Sequence, residues 1–305
     1  MKYSPEKTTS IRQSGRFDHR GWLKGPLWLL VMGLLFMPLA APAQVFWSVT
    51  DNAGRQNWIL GTLHSEDPRL LDWPQPLVDA LQKADRLALE LKPDEAMAER
   101  LKQAMTCREQ SLADRLPAPL FERLLAVLEN DYRHDRNSAA QLCLWAAALT
   151  LAAPPPASGM YMDMMLAWRG QGAGLELVAL ETVDEQIEFL SGLPDADQVV
   201  LIEKALDERD SHDALFNELV KTYLEGDLEQ LTLLSNRQLE GLPVHIANYF
   251  NEQGLEERNR RMLERARPWL EQGGLIIAVG ALHLPGEDGL LALLANEGWQ
   301  LQGIY

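Results

Sequence analysis

Two apolar segments of strand length end in the same way, on a histidine three residues after a glycine. They are WILGTLH (58–64) and LIIAVGALH (275–283). Each is followed by a helix-forming stretch and then by a second strand-like run. Strands that alternate with helices are typical of α/β folds. The sequence therefore predicts an α/β fold with a central mixed sheet, built from two similar strand–GxxH–helix–strand units.

Long helical patterns separate these two units. Apolar residues recur at three- and four-residue spacing over about 94–170 and again over 182–271, with one more strand, LELVALE (175–181), between them. FWSVTD precedes the first unit and is joined to it by a turn at Asn52-Ala53-Gly54, which is a hairpin pattern. We therefore expect an α/β domain over 44–305 in which a large helical insertion or cap covers the sheet.

Residues 1–43 have the features of a secretory signal. Six basic residues against two acidic ones in 1–24 precede an uncharged apolar segment that ends in Ala41-Pro42-Ala43. Such an arrangement is typical of a signal peptide, so we expect export to the periplasm of a Gram-negative bacterium. The alternative is an uncleaved anchor in the inner membrane. Its apolar core, however, contains Pro38 and is shorter than the ~20 residues that a spanning helix needs.

Beyond that segment the chain is strongly acidic, with 22 basic and 42 acidic residues, a net charge of −20. Nucleic acids are bound by basic surfaces that neutralise phosphates, so no nucleic acid partner is expected. Contact with a membrane is expected only through an uncleaved N-terminal segment. Cys107 and Cys143 form a disulfide or remain two buried thiols, and the sequence leaves both alternatives open. It does not indicate an oligomeric state.

The candidate site lies where apolar strands end, because ligands collect at the carboxyl edge of an open α/β sheet. Glycine permits close backbone approach there, so His64 and His283 can point across the sheet edge. Glu90 in RLALEL (86–91) and Glu181 in LELVALE also follow apolar runs, where a charged side chain needs a partner. Each histidine could instead be an ordinary loop residue, and each glutamate could pair with an arginine or a helix N-terminus.

Two imidazoles with one or two carboxylates suit a divalent transition metal such as Zn, Mn, Co or Fe. Such an ion acidifies a bound water and polarises a carbonyl. The chain has no GxSxG, HExxH or Walker A motif and no GxGxxG after a strand. Asp163 lies in a methionine-rich helical stretch typical of core packing. Arg258 and Asn259 lie in a charged helix, for which a solvated face is the default interpretation.

These segments together resemble the TraB/PrgY/GumN family, which is related to the Tiki proteases. The resemblance covers about 46–305 and follows the family order of motifs: ILGTLH (59–64), RLALEL, GMYMDMML (159–166), VALETVDEQ (178–186), ERNRRM (257–262) and AVGALHLPGEDGLLALLANEGW (278–299). One departure is Lys92, which stands where the family often has a second acid, two residues after the first-strand glutamate.

The resemblance implies a metal-dependent hydrolase that cleaves an amide or ester bond with a metal-activated water. The expected substrate is a peptide, and a small molecule is the alternative. Matched by motif, the metal ligands are His64, Glu90 and His283, the catalytic residues Glu90, Glu181 and Arg258, and the supporting residues Gly61, Asp163, Asn259 and Gly280. Some family members shut down a peptide signal, which sequestration can also achieve. The alternative is therefore a non-catalytic module of the same fold that binds and sequesters a peptide.

Overall fold

A six-stranded mixed sheet organises residues 44–107 and 109–305, the part of the chain that the computed structural model describes. The strands are β1 (Phe46–Thr50), β2 (Gln56–Thr62), β3 (Arg86–Leu89), β4 (Glu176–Ala179), β5 (Leu275–Gly280) and β6 (Gln300–Gly303). Their order across the sheet is β4-β3-β5-β2-β1-β6. Neighbours from β4 to β2 pair in parallel, whereas β1 runs antiparallel to both β2 and β6. The predicted mixed α/β fold is confirmed.

The hairpin and the central strands form where the apolar patterns predict them. β1 and β2 are joined by a turn in which Gly54 adopts a φ of 81°, a conformation that glycine adopts without steric cost. In β5 the residues from Leu275 to Val279 are all buried. Both faces of a central parallel strand are covered, which explains its continuous apolar run.

Helices connect the strands and supply most of the remaining structure. They are α1 (Gln75–Lys83), α2 (Glu95–Ala104), α3 (Leu112–Arg115), α4 (Ala118–Asn130), α5 (Arg136–Ala140), α6 (Leu144–Leu151), α7 (Met162–Gly172), α8 (Val183–Ser191), α9 (Asp195–Asp207), α10 (His212–Leu224), α11 (Leu228–Leu239), α12 (Val244–Asn251), α13 (Glu257–Leu270) and α14 (Leu290–Asn296).

The two predicted strand–GxxH–helix–strand units differ in how they enter the sheet. The first runs from β2 through α1 to β3 and crosses one intervening strand. The second runs from β5 through α14 to β6 and crosses two. Their duplication therefore stays a prediction. Helices α2 to α7 lie between β3 and β4 in the chain, and α8 to α13 lie between β4 and β5.

Buried apolar side chains form two clusters. One surrounds the sheet, with Phe46, Ile59 and Leu87 among its fully buried members. The other joins the helices from α3 to α6 with α9. A disulfide between Cys107 and Cys143 lies beside this second cluster, which decides between the two alternatives left open for the cysteines. The helical part thus has a core of its own.

The predicted signal segment, 1–43, lies outside the described residues and stays a prediction. Among the helices of residues 44–107 and 109–305, none combines the length and the apolarity needed to cross a membrane.

Candidate functional site

The carboxyl ends of the four parallel strands lie side by side at one edge of the sheet. Thr62 of β2 pairs with Gly280 of β5, and Leu89 of β3 pairs with Ala278 of β5 and with Ala179 of β4. The segments that follow these strands carry the predicted histidines and glutamates. The sheet therefore brings all four to the same edge, as the strand-end argument requires.

Arg258 connects two of these strand ends. Its Nε donates to both carboxylate oxygens of Glu181, at 3.0 and 3.1 Å, and its Nη2 donates to Glu181 Oε2 at 2.5 Å and to Glu90 Oε2 at 2.7 Å. The side chains of Arg258 and Glu181 are 11% and 1% exposed, and that of Glu90 is 26% exposed. Glu181 therefore neutralises a buried cation, and Glu90 is the carboxylate that a ligand can reach.

The Glu90 carboxylate is held from several sides. Oε1 accepts a hydrogen bond from the Gly280 N–H at 2.7 Å and lies 3.7 Å from His283 Nε2, while Oε2 also accepts from Gln186 Nε2 at 3.3 Å. Burial by itself raises the pKa of this carboxyl. The charge of His283 when that ring is protonated, the charge of Arg258 and the Gly280 N–H together outweigh burial and hold the pKa below its ordinary value. Glu90 is thus kept as a carboxylate.

His283 is buried in a 3₁₀ turn that follows β5, and its tautomer is fixed by an amide. Asn259 Nδ2 donates to the Asp288 carbonyl at 2.8 Å, which leaves Asn259 Oδ1, 2.7 Å from His283 Nδ1, as an acceptor. Nδ1 therefore carries a proton and Nε2 a free lone pair. Burial lowers the pKa of His283 and, together with the charge of Arg258, outweighs the charges of Glu90 and Glu181, which raise it. In its uncharged form the ring presents the Nε2 lone pair toward Glu90, 3.7 Å from Oε1.

His64, in contrast, is exposed, with a side chain that is 71% accessible. Its Nδ1 lies 3.3 Å from Asp163 Oδ2, the other oxygen of Asp163 accepts from Thr62 Oγ1 at 2.5 Å, and its ring stacks on Tyr161 with centroids 4.2 Å apart. Desolvation by these neighbours lowers the pKa of His64, but the hydrogen bond and charge of Asp163, with the charge of Glu90, raise it above its ordinary value. Asp163 orients the ring and leaves Nε2 available.

The glycines of the two motifs sit where the backbone of one strand end approaches the next. A Cβ on Gly61 would lie 2.9 Å from the Cα of Ala281, and the Gly61 carbonyl accepts a hydrogen bond from the buried Tyr223 hydroxyl at 2.8 Å. A Cβ on Gly280 would lie 3.3 Å from Glu90 Oε1. Glycine at both positions thus keeps the strand ends close enough to share a site.

Arg258 and Asn259 are buried, so the solvated face that a charged helix suggests does not apply to them. A π-helical turn, Glu252–Glu256, precedes α13, and such turns often occur at functional sites. Within it Gly254 packs so closely on Phe189 that a Cβ would lie 2.9 Å from the ring, and its carbonyl accepts from Arg258 Nη1 at 3.3 Å. The turn directs Arg258 inward.

Sequence reasoning missed three residues that orient the site: Thr62, Tyr161 and Gln186. The first two contact Asp163 and His64, as described above. Gln186 Nε2 bridges Glu90 and Glu181, at 3.3 and 3.1 Å. One signal was available for Gln186. Thr-x-x-Glu at 182–185 is a capping-box pattern that predicts a helix start immediately after Glu181, and the box is present.

The donor types fit a divalent transition metal, since both imidazoles have Nδ1 held by an oxygen and Nε2 free, as metal-bound histidines do. Their spacing is a separate matter. Within residues 44–107 and 109–305, no three His, Cys, Asp or Glu side chains lie close enough together to hold a metal ion. The donor types of His64, Glu90 and His283 thus suit a metal ion, whereas the distances between these side chains in the described structure do not form a metal site.

Comparison with known proteins gives a consistent family assignment. The profile of the TraB/PrgY/gumN family matches residues 45–302. Metalloprotease TIKI2 of Danio rerio is 22% identical over 301 aligned residues, covering 81% of this chain and 58% of that protein. The chain thus spans less than two thirds of the length of that relative. No solved structure matches the chain significantly. Because the family profile matches nearly all of the sequence from β1 to β6, the chain belongs to the TraB/PrgY/gumN family.

Proposed function

We propose that this protein is a metal-dependent hydrolase that cleaves peptide amide bonds at the carboxyl edge of its sheet. The observation that carries the proposal is the paired orientation of two imidazoles at adjacent strand ends. His283 Nδ1 is held by Asn259 and His64 Nδ1 lies against Asp163, so that each ring keeps Nε2 for a ligand, and Nε2 of His283 lies 3.7 Å from Glu90 Oε1. The relation to a metalloprotease supports the reaction class.

His64, His283 and Glu90 would hold the ion, which would supply an acidified water and a polarised carbonyl. The protein's own groups do the rest. Glu90 Oε1 accepts one hydrogen bond from Gly280 and keeps one lone pair, with which it would either hold the ion or, as the general base, accept a proton from water. Arg258 orients Glu90, and Glu181 keeps Arg258 in place as its buried counter-ion. Glu181 therefore acts as a positioning residue in this proposal.

Export is part of the same proposal. A structural disulfide persists in oxidising compartments such as the periplasm and is rare in the cytosol. The Cys107–Cys143 bond therefore supports the signal-like character of residues 1–43.

The proposal is tested by incubating the purified protein with a peptide library and with Zn, Mn, Co or Fe added singly. New peptide termini are then sought by mass spectrometry. We expect cleavage with at least one metal and a loss of about a hundredfold or more in Glu90→Gln, the size of a general acid–base contribution. Glu188→Gln is the matched control, because Glu188 is exposed on α8 and makes none of the site's hydrogen bonds. Its rate should equal that of the wild type.

A peptide-sequestering module is the second candidate, and one observation favours it. Both oxygens of Glu90 already accept hydrogen bonds, and no three donors are gathered for a metal among the described residues. The same library distinguishes the two functions. Peptides that bind stably but give no new termini with any of the four metals would overturn the hydrolase and establish sequestration.

A further inference from the structure

An apolar cavity of about 370 Å³ lies among helices α6 and α8 to α12. Aromatic and aliphatic side chains form most of its wall, including Trp145, Leu201, Leu239 and Phe250. Lys204 and Glu208, which also line it, form an ion pair with each other. A cavity of this size, apolar with a few polar groups, has the character of a ligand pocket.

This cavity shares its walls with the candidate site. Leu282 lines it, directly before His283 in the chain. Phe189 also lines it, and its ring centroid lies 5.7 Å from Arg258 Cζ. Gly254, a third lining residue, accepts the hydrogen bond from Arg258 Nη1. A group in the cavity would therefore be separated from the site by a single layer of residues.

A second cavity, of about 320 Å³, adjoins the exposed histidine. It is lined by His64, Tyr161 and the proline run 154–156. Phe216 of α10 lines both cavities. Phe216 therefore lies between the apolar cavity and the space beside His64. A third cavity, of about 800 Å³, lies at the opposite edge of the sheet, around Asp85, and contains none of these residues.

We propose that the apolar cavity binds an apolar side chain of the peptide substrate, with the peptide backbone running past Phe216 toward His64. This inference rests on the proposed function, since it names the substrate that the same site would select. Burying a leucine or phenylalanine side chain there is worth about tenfold to a hundredfold in affinity over an exposed one. A carboxylate in the same place would lose its hydration, and Lys204, the lysine that lines the cavity, is already paired with Glu208. The cavity therefore favours peptides with a large apolar residue over peptides with an acidic one.

The test measures peptide binding rather than cleavage. Four fluorescein-labelled peptides, identical except for a central Leu, Phe, Ala or Asp, are titrated with the protein by fluorescence anisotropy, without added metal. We expect the Leu and Phe peptides to bind at least tenfold more tightly than the Asp peptide. Ala205→Trp, which fills the cavity from α9, should abolish this preference. Ala214→Trp, at an exposed position of α10 that lines neither cavity, should retain it.

Because Ala205→Trp could unfold the protein, Ser235→Trp fills the same cavity from α11. Melting temperatures identify which variants are folded. Equal affinity for all four peptides, or an unchanged preference in a folded cavity-filling variant, overturns the inference. Cleavage without an apolar preference would support the proposed hydrolase and contradict the proposed binding role of the cavity. Binding that favours apolar peptides, without cleavage, would support the binding role of the cavity and contradict the proposed hydrolase.

Discussion

Replacing Arg258 by leucine tests the buried charge cluster on which the site geometry depends. The change leaves the Glu181 carboxylate, whose side chain is 1% exposed, without the three hydrogen bonds that it receives from the guanidinium. Removing one partner of a buried ion pair costs about 3–5 kcal/mol, because the other charge stays buried without compensation. Glu90 loses one bond as well, but it is 26% exposed and water replaces part of it. We therefore expect Arg258→Leu to lower the free energy of unfolding by about 3–5 kcal/mol.

The assay is urea unfolding at pH 7, followed by tryptophan fluorescence. The double variant Arg258→Leu/Glu181→Leu removes both buried charges and should recover most of the lost stability. Arg260→Leu, two positions further along α13 and 51% exposed, is the surface control and should cost less than about 1 kcal/mol. The reasoning is refuted if Arg258→Leu costs less than about 1 kcal/mol, or if the double variant is no more stable than the single one.

Three further predictions concern stability. Hydrogen bonds from Arg265 hold the pKa of Glu185 at about 2 against an ordinary value of 4.5, so this stabilisation is complete above pH 4.5 and lost as the pH falls to 2. Arg265→Met should lower the free energy of unfolding by about 1 kcal/mol at pH 7, because water screens the partly exposed pair, and by almost nothing at pH 2. An equal shift of the urea midpoint at both pH values would contradict this. Gly61→Ala should lower the free energy of unfolding by about 1–3 kcal/mol, because the added Cβ overpacks against Ala281. The melting temperature should fall, and an unchanged melting temperature would count against the close approach of Gly61 to Ala281. Reducing the Cys107–Cys143 disulfide, which spans 36 residues, should cost about 3–4 kcal/mol in urea unfolding, and no effect of reductant would argue against a stabilising bond.

The sheet and the edge that carries the candidate site could be predicted because they depend on short-range patterns. β2 and β5 end where glycine interrupts an apolar run, and parallel pairing then places the residues beyond Thr62 and Gly280 side by side. The turns that follow carry His64 and His283. Such regularities are visible in the sequence because strand period and burial dictate residue type along each segment.

The burial of Arg258 could not be predicted in the same way. The periodicity of its helix is that of a charged, solvated face. Its inward direction depends on a π-helical turn and on a glutamate 77 positions earlier. Similarly, the sequence places Glu181 at a strand end and the resemblance makes it a catalytic residue, but neither shows that its carboxylate is paired with Arg258 as a buried counter-ion. These features arise from tertiary packing between distant segments, on which local propensity carries no information.

The central claim is that His64 and His283 serve one metal site, and metal content measures it most directly. The protein is purified without a histidine tag, and bound Zn, Mn, Co and Fe are quantified by mass spectrometry in the wild type, His64→Ala, His283→Ala and His245→Ala. His245 is the control, because it is exposed and its partner is Asp197, away from the sheet edge. The account predicts a stoichiometric metal ion in the wild type and the control and a loss in both other variants. Equal metal content in all four proteins would contradict it.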